Sequence, residues 1–169
     1  WPLARGGDIA LLLDALRARW AVVVVNLGPT LEDLSRYVDR FGASRAALGL
    51  ADSMVAVCEA SPRGVLRYLD WLGDACTLAP RRPVHCLVNR APRSRYCRGE
   101  LVEQLCANAG AWHTSIDVAP EDRAVRRAQW DAVMVTHGPF ARSIARLSDR
   151  VLPTVARRHR LVGSAGPSS

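Results

Sequence analysis

Apolar residues fall along this chain in two kinds of block. Ile9, Leu12, Leu13 and Leu16 recur at helical spacing behind Asp8, which is placed as an N-cap. "AVVVV" at 21–25 is apolar at every position, so residues 21–26 are predicted to form a strand buried on both faces, ending at Asn26 in a Leu27-Gly28-Pro29 turn. Residues 31–51 read as one long helix or two shorter ones broken near Gly42. "SMVAVC" (53–58) and "PVHCLVN" (83–89) are further strands, the second with its proline at the first position, where a missing donor is harmless. "RGVLRYLDWLGDA" between them is a helix. The basic loop "RAPRSRYCR" leads into the helix "GELVEQLCANAG", and "WHTSID" (112–117) is a weaker fourth strand. Helices are expected around 121–131 and 138–152, the latter packing the stripe Phe140, Ile144, Leu147 and Val151 on the sheet. Pro153 interrupts that pattern, and "GSAGPSS" at 163–169 reads as a flexible tail.

Strands that alternate with helices and are apolar throughout predict an α/β fold. The expected architecture is a mostly parallel sheet with helices on both faces, a Rossmann-type three-layer sandwich. Ligands of such sheets bind beyond the carboxyl ends of the strands. The residues to interrogate are therefore Asn26 to Pro29, Glu59 to Pro62, Asn89-Arg90 and Ala119 to Asp122.

Composition narrows the picture. At 169 residues and 49% hydrophobic content, the chain supports one domain, residues 1–162, with a sizeable core. It opens on Trp1 rather than Met, without a signal-type leader, and reads as a piece or processed form of something longer. No apolar run approaches the roughly 20 residues that span a bilayer. The net charge of +7 rests on arginine alone, because the chain contains no lysine. That bias matches a GC-rich coding sequence better than selection for nucleic acid. The five cysteines lack C-x-x-C spacing, and Cys58 and Cys86 sit in apolar strands as small hydrophobes. A reducing, cytoplasmic setting follows. His85, His113, His137 and His159 have no ligand spacing; Trp112 and Trp130 are expected in the core or at an interface.

The order of four segments resembles the carboxy-terminal two-thirds of a MinD/ParA-type P-loop ATPase, the deviant-Walker group that includes CpaE-like pilus-assembly proteins. The resemblance runs from about residue 8 to about residue 150. "VVVVNLGPT" is similar to the family's Walker B or switch II strand and its turn, and "LADSMVAVCEASPRGVLR" to its alanine-aspartate strand and Pro-containing loop. "LVNRAPRSRYCRGEL" resembles the strand ending in Asn-Arg, and "PEDRAVRRAQWDAVMV" the Pro-x-Asp segment that packs on the base. The resemblance implies a P-loop NTPase-like domain, incomplete in these residues. It implies ATP and Mg2+ as ligands, with Asn89, Arg90, Pro120, Asp122 and Gly28 at the nucleotide. Asn89 reads the adenine edge, which a planar amide matches.

The departures are as informative. The family's phosphate loop is absent, and a chain without lysine cannot supply the Walker lysine. This piece alone is not expected to hydrolyse ATP. Asn26 stands where the family has the aspartate that helps hold the magnesium hydration shell, so any metal contact here runs through water. Three functions are carried forward. The first is an ATP-binding switch, homodimeric and cytoplasmic or peripheral to a membrane, that positions division, partition, pilus or secretion machinery through a protein partner. The second is a degenerate, non-hydrolysing scaffold of the same fold. The third is an arginine-rich, non-specific nucleic-acid binder. Each position also has a plainer reading: Asn26 as a turn former, Pro120 as a helix-start proline, Asp122 as an acid in a helix's first turn. The basic loop Arg90, Arg93, Arg95 and Arg98 is either solvated surface or a contact for phosphates or an acidic partner.

Overall fold

The computed structural model describes residues 6–31 and 41–163, the side chains of residues 111 and 153–163 excepted. Three strands, β1 (Met54–Glu59), β2 (Val84–Ala91) and β3 (Ser115–Pro120), form one sheet in the order β1-β2-β3. Both pairings are parallel, with Met54 opposite Val84 and His85 opposite Ser115. Parallel neighbours need crossovers. Helix α3 (Pro62–Leu78) links β1 to β2, and α4 (Arg95–Ala109) with the 3-10 turn Gly110–Trp112 links β2 to β3. Before the sheet lie α1 (Gly6–Arg17) and α2 (Gly42–Leu50); after it come α5 (Arg123–Trp130) and α6 (Gly138–Gly163).

The pleat sends alternate residues to opposite faces. Met54, Ala56, Cys58, Val84, Cys86 and Val88 form one inner face. They pack under Tyr68, Leu72 and Ala75 of α3, Leu105 and Ala109 of α4, and Leu48 of α2. Leu72 and Leu105 are fully enclosed there, each burial stabilising by about 1.5–3 kcal/mol. On the other face, Leu87 and Ala119 meet Leu147, Phe140, Ile144 and Val151 of α6, the stripe expected from the sequence. Arg150 of α6 reaches the buried Asp117 carboxylate at 3.3 Å. Helices thus cover both faces, as an α/β reading requires.

Two tight approaches fix the connections. Ser61 caps α3, its hydroxyl accepting from the Gly64 N–H at 3.1 Å, with Pro62 at the first helical position. A Cβ on Gly64 would lie 2.3 Å from the Glu59 carbonyl oxygen, so only glycine lets the helix start so close to the strand end.

Several expectations are corrected. Residues 21–26 are not a strand: residues 22–28 run as irregular chain, outside any ladder. An apolar run settles as a strand only where a neighbouring edge pairs with it, and no described strand does. Val22, Val24 and Val25 are exposed rather than buried on both faces, and Asn26 does not end a strand. The weak fourth strand lies at Ser115–Pro120, three residues later than expected, because Trp112 is spent on the 3-10 turn. Helix α4 begins at Arg95, capped by the Ser94 hydroxyl, so Arg95 and Arg98 belong to a helix rather than a loop. Helix α6 continues through Pro153, which costs a helix one ladder bond without ending it. Trp112 and Trp130 are exposed and form no part of the core. Of the long helical stretch at 31–51, α2 is present, and residues 32–40 lie outside the described residues, as does most of the tail.

Candidate functional site

Because all three strands run the same way, Glu59, Asn89-Arg90 and Pro120 to Asp122 arrive at one edge of the sheet. The register there is irregular. Val88 pairs with Val118 and Ala91 with Pro120, so two residues of β2, Asn89 and Arg90, stand against Ala119 alone. Such a bulge bends the strand and re-aims its side chains. Arg90 takes the left-handed conformation, φ 56°, which is unfavourable for any side chain with a Cβ.

The bulge sets the side chains. Asn89 Oδ1 accepts from the Arg90 N–H at 2.9 Å, which fixes the amide plane. Its NH2 has no partner among the described residues, leaving a donor and a second oxygen lone pair toward the crevice. The Arg90 guanidinium crosses to β1 and lies 3.4 Å from Glu59 Oε1. Glu121 N donates to the Ala91 carbonyl at 3.1 Å, extending the sheet's edge by one bond. Asp122 then caps α5, Oδ1 accepting from the Ala124 N–H at 2.9 Å. Its other oxygen, Oδ2, is buried without a hydrogen-bond partner among the described residues, close against Gly138 at the start of α6. A negative group is favoured beside a helix N-terminus. Pro120 is the last residue of β3 rather than the first of a helix.

The structure therefore brings together Asn89, Arg90, Pro120 and Asp122. It adds Glu59, which the sequence marked only as a strand-end residue; the Arg90 ion pair singles it out. Asn26 and Gly28 are not tied to this group by any hydrogen bond or ion pair among the described residues. Asn26 instead lines a groove along β1, and both are exposed.

An adenine fits what is present: a fixed amide with a free donor, beside a proline ring. Magnesium does not. The one residue assigned to it is an exposed amide in irregular chain, and among the described residues no group of three or more His, Cys, Asp or Glu is arranged to hold a metal.

No protein-family model matches this chain, and no curated protein is significantly similar to it in sequence.

Proposed function

We propose that the chain is the base-binding part of an ATP-dependent switch domain of the MinD/ParA type, with the P-loop NTPase-like version of the α/β fold. The observation that carries this reading is the bulge at Asn89-Arg90. It places a fixed amide at the carboxyl edge of a parallel sheet, where ligands of such folds bind. Asn89 would read the adenine edge, Pro120 would cover its face, and Arg90 and Asp122 would frame it. Phosphate and magnesium contacts would come from residues outside these 169. Homodimerisation, a protein partner and a cytoplasmic or membrane-peripheral location belong to the same proposal; none of the described helices is long and apolar enough to cross a membrane.

Titration of the isotopically labelled chain with ATP, and separately with GTP, tests this. ATP is expected to shift the Asn89 side-chain amide and the backbone amides of Glu121 and Asp122, with GTP doing so only at much higher concentration. Equal responses, or shifts confined to other residues, would overturn the adenine assignment.

A second reading, a scaffold of the same fold that has lost turnover, is favoured by Asn26 standing where a carboxylate is expected. It predicts nucleotide binding without magnesium-dependent phosphate release.

A further inference from the structure

The observation here is independent of the nucleotide reading: strand β1 is an edge with nothing beside it. Met54 N donates to the Pro83 carbonyl and Ala60 N to the Asn89 carbonyl. The period of two then turns the N–H groups of 54, 56, 58 and 60 toward β2, and those of Val55, Val57 and Glu59 away from the sheet. The side chains of Val55 and Val57 are 43% and 64% exposed. Natural sheets guard such edges with charge, proline or a cover; this one presents valine.

Across from it runs the other unexplained segment. Val22, Val24 and Val25 are 47%, 88% and 45% exposed, and residues 21–30 make no backbone hydrogen bond to any described residue. The two valine rows border one groove of about 640 Å³, with Leu147 and Val151 of α6 along its side. One residue of a strand within a packed sheet occupies about 4.8 Å by 10 Å by 3.3 Å, about 160 Å³. The groove therefore has room for about four residues of strand.

We infer that this groove is a slot for one more β-strand, filled by an uncharged, valine-rich segment of polypeptide from outside these 169 residues. Charge decides the chemistry of the occupant. The charged side chains lining the groove, Arg17 and Asp52, already face each other at 3.6 Å, and Arg17 also donates to the Leu50 carbonyl. A charged strand would find no unspent partner there. The chain's own remaining stretches do not qualify. Residues 1–5 carry Pro2 and Arg5, residues 32–40 carry five charged side chains, and 164–169 are Ser, Ala, Gly and Pro. Inserted beside β1, the strand pairs with the outward groups of Val55, Val57 and Glu59 on one side and offers its other edge to residues 21–26. Those residues would then become the strand that their sequence predicts.

The test is amide hydrogen exchange on the intact 169-residue chain, with and without a capped six-residue peptide of alternating Thr and Val. Exchange at Val55, Val57 and Glu59 is expected to slow at least tenfold at saturating peptide. Ala56 and Cys58, already bonded to β2, should stay unchanged as internal controls. The same peptide with a central lysine should have no effect, and Val57→Lys or, separately, Val24→Lys should abolish the response. No slowing at any peptide concentration would overturn the slot. Slowing without peptide that grows with protein concentration would overturn the source, assigning the edge to a second copy of this chain. Equal slowing by the lysine peptide would overturn the chemistry.

Discussion

Arg90 Nη1 lies 3.4 Å from Glu59 Oε1, across the carboxyl ends of two adjacent strands, while the Arg90 backbone holds a left-handed φ of 56°. The ion pair does not explain that conformation. Both side chains are more than half exposed, and such pairs contribute about 0–1 kcal/mol. A left-handed residue with a Cβ costs about 1–2 kcal/mol. Strain kept at a strand end beside a crevice is the mark of a site that needs the side chain.

Arg90→Gly therefore separates stability from function. Glycine removes the backbone penalty, less its greater freedom in the unfolded chain, so stability should rise by about 0.5–1 kcal/mol in urea unfolding. Nucleotide affinity should fall in the same variant. A loss of stability would mean that the guanidinium holds the bulge together.

Asn89→Ala addresses the base. The substitution removes the amide without touching the core, since Asn89 is only half-buried at the strand end. ATP binding should weaken by about 1–3 kcal/mol, the cost of an unpaired polar edge, while GTP binding barely changes. Calorimetric titration of both nucleotides against wild type and variant checks this; an equal loss for both would remove Asn89 from base recognition.

How far the sequence reached is clear from particular elements. β1 and β2 lie within a residue or two of their expected spans, because their burial alternates or saturates with the sheet on hand. The stripe from Phe140 to Val151 packs as its spacing requires. Residues 21–26 have the strongest strand pattern of all and form none, since a strand is a pairing and its partner edge is not among the described residues. The bulge at Asn89-Arg90 was not legible either. Nothing in "LVNRAP" signals a register shift, which depends on how β3 meets β2. Glu59 gained its place only through that shift, because it brings Arg90 within reach. Gly64 looked like an ordinary helix glycine, and its close approach to Glu59 exists only in three dimensions.

That glycine yields a paired prediction. Gly64→Ala puts a Cβ against the Glu59 carbonyl oxygen, and neither backbone can yield cheaply. The variant should lose about 1–3 kcal/mol, as overpacked sites do. Gly99 in α4 has nothing within 4 Å of its Cβ position, so Gly99→Ala should gain about 0.5–1 kcal/mol from helix propensity. Urea unfolding of the two variants should move in opposite directions; a neutral Gly64→Ala would show that the β1–α3 turn has slack.

The last prediction concerns pH. His85 lies at the centre of the sheet under α6, 2% exposed, with Nδ1 2.8 Å from the Ser115 hydroxyl and Nε2 without a partner among the described residues. Burial lowers its pKa from the ordinary 6.5, outweighing the Asp117 carboxylate that pulls it up; Arg150, paired with Asp117, pushes it down further. Above about pH 7 the ring is neutral in both folded and unfolded chains, so stability does not depend on it. As the pH falls through 6.5 the unfolded chain takes the proton first, and the folded state loses ground until its own, lower pKa is passed. The slope from this one group can approach about 1.4 kcal/mol per pH unit between the two pKa values. His85→Asn places an amide where Nδ1 meets Ser115 but does not titrate. Unfolding free energies measured from pH 7.5 to 5 should therefore fall more steeply in the wild type than in the variant, and the difference between the two curves cancels the carboxylates they share. Parallel curves would mean that the imidazole takes up its proton in place, with α6 or a water opening to receive it.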